Sequence, residues 1–302
     1  MYDLLIPGHF FCDLIFTGLP AFPSLGAEVY SEALDIVPGG VLNSVIGAHR
    51  LGLNVAWRGA LGKDMFSQYI STWLQGEELD LALVERVDKP LQRVTVSLSY
   101  PNDRAFVTYV DPIDSTIEFA FAALEQAQFR HLHFTGLQVD PRTSELLTRA
   151  KAQGATLSMD CQTRPETLND PIVPEVLSHL DFFMPNAGEA RKLTGESDLA
   201  NAAAKLLPYV PLVIIKDGAN GVHAWTQEGY HHQKAISVQP VDTTGAGDCF
   251  NAGYLTAYLE GEPLETRLRW GCITGGLSTL GRGGATSAPT RAQMLAYQDE
   301  WV

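Results

Sequence analysis

Short apolar runs alternate with amphipathic helical stretches along most of this chain, and that alternation narrows the possible folds more than any other feature. Candidate strands are Leu4–Pro7, Val55–Arg58, His131–Thr135, Thr156–Asp160, Phe182–Met184 and Leu212–Lys216, each bounded by turn or helix signals. Strands that are apolar throughout, rather than at every second residue, are buried on both faces, which calls for helices above and below a mainly parallel sheet. A doubly wound α/β sheet flanked by helices is therefore expected. Asp140-Pro141 predicts the start of one covering helix, Leu146, Leu147 and Ala150 its apolar stripe, and Gly154 its end. With 302 residues, 45% of them hydrophobic and 19% charged, one large core suffices, so a single domain over residues 1–302 is expected.

Two segments break this rhythm. Arg93 to Tyr100 alternates Val94, Val96 and Leu98 with Thr95, Ser97 and Ser99, and a turn at Asn102-Asp103 leads into Phe106–Val110, which predicts a hairpin. Leu14 to Val37 is also strand-like. These extra strands, within about residues 14–37 and 93–110, predict a small β-sheet lid over a cleft, able to exclude water from chemistry beneath it.

The densest chemical signal is the run Val241-Asp242-Thr243-Thr244-Gly245-Ala246-Gly247-Asp248, followed by a helix expected from Phe250 to Leu259. Gly245 and Gly247 permit a tight turn whose amides, at a helix N-terminus, point at negative charge. Asp248 falls where a carboxylate takes a proton from a hydroxyl while the adjacent amides stabilise a transferring phosphoryl group. A plain glycine turn opening a helix is the alternative for the Gly-Ala-Gly core alone. Gly39-Gly40 lets the backbone press against a ligand, and Asn43 either caps the helix that runs to Leu51 or grips a vicinal diol. Asp13, just after the first strand, stands where open α/β sheets bind ligands, or in a solvated turn. Asn186 and Glu189 share one face of a helical turn, as a cap with a stabilising acid or as a polar pair at a site.

The Asp242 to Asp248 run resembles the second signature of the ribokinase-like, or phosphofructokinase-B type, carbohydrate kinase family. Pro38-Gly39-Gly40-Val41-Leu42-Asn43, continuing to Gly59-Ala60-Leu61-Gly62-Lys63-Asp64, resembles its first. Most members place three residues between Gly-Gly and Asn, whereas this chain has only Val41 and Leu42. The resemblance spans essentially the whole chain and implies ATP-dependent phosphorylation of a small carbohydrate hydroxyl. Asp248 would be the base and Gly245, Ala246 and Gly247 the anion hole. Asp13, Gly39, Gly40, Asn43 and Gln138 would hold the acceptor. Asn186, Lys216, Gly218, Gly221, Thr243 and Gly284 would hold ATP. Glu189 would meet Mg2+ through water, and Gly281–Ala285 would lie by the adenine and a monovalent cation such as K+. In the segment from Asp160 to Arg164, Gln162 stands where the family usually has Asn. The resemblance also implies a homodimer formed through the lid.

A net charge of −14 and the absence of any Lys/Arg run argue against nucleic acid or an anionic membrane as partner. Met1 to Phe22 carries Asp3, Pro7 and Asp13 and no basic leader, so it reads as a core strand. The scattered Cys12, Cys161, Cys249 and Cys272 lack C-x-x-C spacing and fit a reduced, cytoplasmic setting. His131, His133, His231 and His232 read as strand alternation rather than metal ligands. Two other functions share these motifs: a nucleoside kinase using Phe10, Phe11, Phe16 or Tyr109 against a base, and a ligand sensor without turnover, against which the intact Asp248 loop argues. For an acceptor that is already phosphorylated, Arg93, Arg104 and Arg164 are the candidate partners.

Overall fold

The computed structural model describes residues 1–100 and 104–300, the side chains of 299 and 300 excepted. In chain order the strands are β1 (Tyr2–Pro7), β2 (Phe10–Thr17), β3 (Ala33–Gly40), β4 (Val55–Arg58), β5 (Ala60–Leu61), β6 (Glu85–Arg86), β7 (Arg93–Ser99), β8 (Arg104–Val110), β9 (Phe129–Phe134), β10 (Thr156–Met159), β11 (Phe182–Phe183), β12 (Leu212–Lys216), β13 (Val222–Thr226) and β14 (Tyr230–Gln233). The main sheet runs β14-β13-β12-β11-β10-β9-β1-β4. It is parallel from β4 to β12 and antiparallel over β13 and β14. Burial explains the parallel part: Leu4, Ile6, Phe182 and Ile214 enter one apolar cluster, while Leu5, Phe183, Val213 and Ile215 enter a second. Alternate residues of each strand thus feed cores on opposite faces, as a doubly wound sheet requires.

Several boundaries moved. β9, β10 and β11 stop one residue short of the expected ends, which leaves Thr135, Asp160 and Met184 just beyond the sheet. The expected cap at Asp140-Pro141 is not the helix start. The helix is Thr143–Ala152 and Arg142 precedes it without a side-chain cap, because the Asp140 carboxylate is engaged by the Arg142 amide at 2.8 Å and by its guanidinium. The expected turn at Asn102-Asp103 lies outside the described residues, and the strands around it pair antiparallel from Ser99–Arg104 onward.

His131 and His133 are buried pegs between two strands. His131 bonds Thr156 Oγ1 and Ser158 Oγ, both at 2.7 Å, and His133 Nδ1 meets the same Ser158 hydroxyl at 2.8 Å. Burial drives both pKa values down, that of His133 to about 3 with help from the Lys216 charge, so both imidazoles are neutral. Among the described residues no group of three or more His, Cys, Asp or Glu side chains is placed to hold a metal ion. None of the described helices is long and apolar enough to cross a membrane.

The lid is a four-stranded sheet in the order β3-β2-β7-β8, with β2 and β7 parallel and the outer pairs antiparallel. Its register sorts side chains by face. Phe11, Asp13, Val37, Gly39, Arg93, Thr95, Arg104 and Thr108 share one face; Leu14, Phe16, Leu34, Ile36, Val94, Val96, Val107 and Tyr109 share the other.

Candidate active site

The glycine run opens the helix Ala246–Leu259 with Gly245 at φ +72°, four residues earlier than the expected Phe250. A Cβ on Gly245 would lie 2.7 Å from the Gly284 Cα and 3.1 Å from the Asn43 Cγ, so both the conformation and the space demand glycine. The amides of Gly247 and Asp248 belong to the first turn and have no intrahelical acceptor. They are free donors at the positive end of a helix.

Asp248 is half-buried beside them. Ser44 Oγ donates to its Oδ1 at 3.0 Å and Asn43 Nδ2 to its Oδ2 at 3.3 Å. Both donors come from the helix Leu42–Arg50, which packs against the helix carrying Asp248. Burial, and then the charge of Asp160, push the Asp248 carboxyl up to about 6, opposed by Lys216, Ser44 and Asn43. Asn43 is not the cap of its helix: Val41 holds that position, and the Asn43 side chain turns to Asp248 with its Oδ1 buried and unpartnered.

Lys216 ends β12, and its Nζ lies 2.5 Å from Asp160 Oδ2 and 3.2 Å from Asn251 Oδ1. Asn251 Nδ2 donates in turn to the same Asp160 oxygen at 2.6 Å. The ammonium stands 3.4 Å from where a Gly247 Cβ would be, directly under the Gly245–Gly247 turn. Asp160, Asn251 and Ser44 were not singled out by sequence for these contacts. A helical signal existed for Asn251, which follows Asp248 by one turn.

Asp160, Lys216, Gly245, Gly247 and Asp248 line a cavity of about 570 Å3, together with Ala235, Ile236, Val238, Gly275 and Gly276. The volume suits a nucleotide-sized ligand, since such sites occupy ~300–1,000 Å3. Gly276 matters for shape, because a Cβ there would lie 2.3 Å from Ile236 Cγ1. Of the residues expected to hold ATP, Asn186, Lys216, Gly218, Gly221 and Thr243 line this cavity; Gly284 instead packs behind Gly245. Gly221, at φ +94°, has no room for a side chain, its Cβ falling 2.1 Å from the Gln233 carbonyl oxygen. Asn186 and Glu189 form a reciprocal cap, Glu189 N to Asn186 Oδ1 at 2.9 Å and Asn186 N to Glu189 Oε2 at 2.8 Å. Both also border the cavity, and burial with the nearby Asp160 charge raises the Glu189 carboxyl. Gln162 lines the wall with φ +58°.

Asp13 is not at the edge of the main sheet. It sits mid-strand on β2, on the lid face shared with Gly39, where a Cβ would be 2.0 Å from Asp13 Oδ2. Burial raises its carboxyl to about 6 against a hydrogen bond from Thr95, with the Asp242 and Asp248 charges adding to the rise. Gln138 donates its amide to the Gly136 carbonyl at 2.8 Å and does not line the cavity. The arginines are committed elsewhere. Arg164 pairs with Glu166, Arg104 with Asp242, and Arg93 lies over the Phe11 ring. Phe10 is buried against Trp57, and the register puts Phe16 and Tyr109 on the lid face away from Asp13, so those three do not converge on an acceptor space.

An apolar slot leading to free amides, a lysine and several carboxylates, with a strand-built lid tied to its turn through Arg104 and Asp242, is the architecture of a phosphoryl-transferring α/β enzyme. Residues 22–291 match the pfkB family carbohydrate kinase description, and the chain belongs to that family. It is 30% identical over 274 residues to a fructokinase of Salmonella typhimurium, covering 83% of this chain and 89% of that protein. It is 26% identical over 289 residues to a ribokinase of Haemophilus influenzae, covering 92% and 93%. In three dimensions it resembles Arabidopsis thaliana ribokinase complexed with ribose and ATP, with a TM-score of 0.81 at 23% identity and 98% of each chain covered. The protein is an ATP-dependent carbohydrate kinase.

Proposed function

We propose that this kinase transfers the γ-phosphoryl group of ATP to a hydroxyl of a small carbohydrate lying between Asp13 and Asp248, with Asp248 as general base. The observation that carries this reading is Asp248 itself, a carboxylate with a raised pKa, oriented by Ser44 and Asn43 and set one residue from free helix-end amides. ATP would lie with its base in the slot by Ile236 and Gly276 and its phosphates toward Lys216 and the Gly245–Gly247 turn. Asp248 takes the hydroxyl proton, the oxygen attacks the γ-phosphorus as its bond to the β,γ-bridging oxygen breaks and ADP leaves, and the amides of Gly247 and Asp248 stabilise charge on the transferring group. Asp13, Gly39 and Gly40 would grip the acceptor from the lid, with the Asn43 side chain shared between Asp248 and the sugar.

Among the described residues the carboxylates are not placed to hold Mg2+ by themselves, but an ion carried on the phosphates fits this end of the cavity. Asp160, Glu189 and Asp248 face it, and mutual repulsion helps raise the last two, so a divalent cation on the phosphates would relieve excess negative charge. Glu189 would hold it through water. K+ does not fit at Gly281–Ala285. The Arg282 and Gly283 carbonyls accept from Thr286 and Ser287, and the two carboxylates that touch the segment, Asp242 and Asp35, are each already paired with a guanidinium. No step is assigned to it. The chain is proposed to act as one kinase unit and to pair with a second copy through the apolar outer lid face, where Leu34, Ile36, Val107 and Tyr109 are 48%, 42%, 66% and 57% exposed.

Asp248→Asn tests the reading. Turnover should fall ~10²–10⁴-fold with ATP affinity nearly unchanged. Unaltered turnover removes Asp248 as the base.

A further inference from the structure

Arg104 is the first residue of β8, on the inner lid face, yet its guanidinium leaves the lid and closes on the run before the anion-binding turn. Nη1 lies 2.8 Å from Asp242 Oδ1 and also meets the Thr244 hydroxyl, while Nη2 donates to Thr243 Oγ1 at 2.9 Å. Asp242 gathers the rest. Its Oδ1 accepts from the Thr244 amide at 2.9 Å and hydroxyl at 2.7 Å, and its Oδ2 accepts from the Gly283 amide at 3.0 Å. Gly284, next along, stands against the Gly245 backbone so closely that a side chain on either would collide. One carboxylate, with its side chain 9% exposed, thus links the lid, the turn and the Gly283–Gly284 segment behind it.

We propose that Arg104 is a positioning residue that couples the lid to the anion hole: by holding Asp242, Thr243 and Thr244 it aims the amides that follow at Gly245 to Asp248. The inference rests on the kinase reading above. Arg104 need not touch the acceptor, and its planar fork is the reason for arginine, because two nitrogens address three oxygens at once. A lysine keeps the charge and loses the second contact. A displacement of about 1 Å in catalytic geometry costs on the order of 10²-fold, so loosening this clamp should appear in turnover rather than in ATP affinity.

The test is steady-state kinetics with Arg104→Met, Arg104→Lys, Asp242→Asn and the Arg104→Met/Asp242→Asn double variant, with ATP affinity measured separately by calorimetry. Arg104→Met should lower kcat by ~10–100-fold with little change in acceptor KM or ATP affinity, Arg104→Lys should recover part of it, and the double variant should be no worse than the poorer single one. Independent, additive losses would overturn the coupling. A rise in acceptor KM at constant kcat would make Arg104 an acceptor contact and overturn it as well. Should Asp242→Asn fail to fold, the split between kcat and KM in the two Arg104 variants decides alone. Loss of turnover in Asp248→Asn with wild-type behaviour in Arg104→Met would sink this inference and leave the kinase reading standing.

Discussion

The two sheets of this molecule use similar residues to opposite ends. In β12 the run Leu212-Val213-Ile214-Ile215-Lys216 is buried through its centre and presents only its terminal lysine to the cavity. In β8 the run Arg104-Ala105-Phe106-Val107-Thr108-Tyr109-Val110 is equally β-prone, yet its last five residues are exposed. The parallel part of the main sheet hides both faces under helices and presents polar side chains at the strand ends. The lid carries Asp13, Thr95, Arg104 and Thr108 on one face and a more apolar face opposite, and it is fastened to the body partly through ion pairs, Arg104 to Asp242 and Arg282 to Asp35. On the proposed reading, stability and acceptor contact fall to different sheets.

That division can be broken in graded steps. Ile214→Ala, in a fully buried site, should cost about 2–5 kcal/mol in chemical denaturation, and a loss like that of an exposed lid residue would refute the contrast. Asp13→Ala should raise acceptor KM ~10–100-fold, since a hydrogen bond to a charged group contributes about 1.5–3 kcal/mol, with ATP affinity unaffected. Val107→Asp should change monomer stability by no more than ~0.5 kcal/mol, but should abolish dimerisation in sedimentation. A dimer that survives it moves the interface elsewhere. Replacing K+ by Na+ or tetramethylammonium at constant ionic strength should leave turnover unchanged.

Acid sharpens the same contrast. Asp13 and Asp248 both have carboxyls raised to about 6, and the proposed mechanism needs both ionised, Asp248 to take a proton and Asp13 to accept hydrogen bonds, so kcat/KM should climb as pH rises through about 6. Their effect on stability has the other sign. Each binds its proton more tightly folded than unfolded, where aspartate titrates near ~3.9. The stability this adds is fully present below the unfolded value and is lost as pH rises through about 6. Melting temperatures of Asp13→Asn against the parent from pH 4 to 7 should show that slope reduced to the share that Asp248 contributes.

What sequence revealed followed from local chemistry. The bounds of β12, the parallel sheet, the glycine turn and the lid strands all depend on residues near one another, and Lys216 was already a phosphate candidate. The groups that finish the site are joined over long separations: Ser44 reaches Asp248 across 204 positions, Asp160 meets Lys216 across 56 and Arg104 meets Asp242 across 138. No pattern of spacing announces such pairs. Asp13 was recognised as a residue type in the right neighbourhood but assigned to the wrong sheet, because β2 follows β1 after only Gly8 and His9. Asn43 was weighed as a cap because helix starts favour Asn, and tertiary contact with Asp248 won.

Ser158, fixed between His131 and His133, has one further consequence. A hydroxyl holds a single hydrogen, so it can donate to only one imidazole and must accept from the other. Thr156 donates to the Arg130 carbonyl at 3.4 Å and therefore accepts from His131 Nδ1, which leaves His131 Nε2 to receive the Ser158 hydrogen and His133 Nδ1 to supply one. His133 Nε2 is then an acceptor, buried without a partner among the described residues. The sheet interior thus contains a directed relay of hydrogens in which the tautomer of one histidine dictates the tautomer of the next.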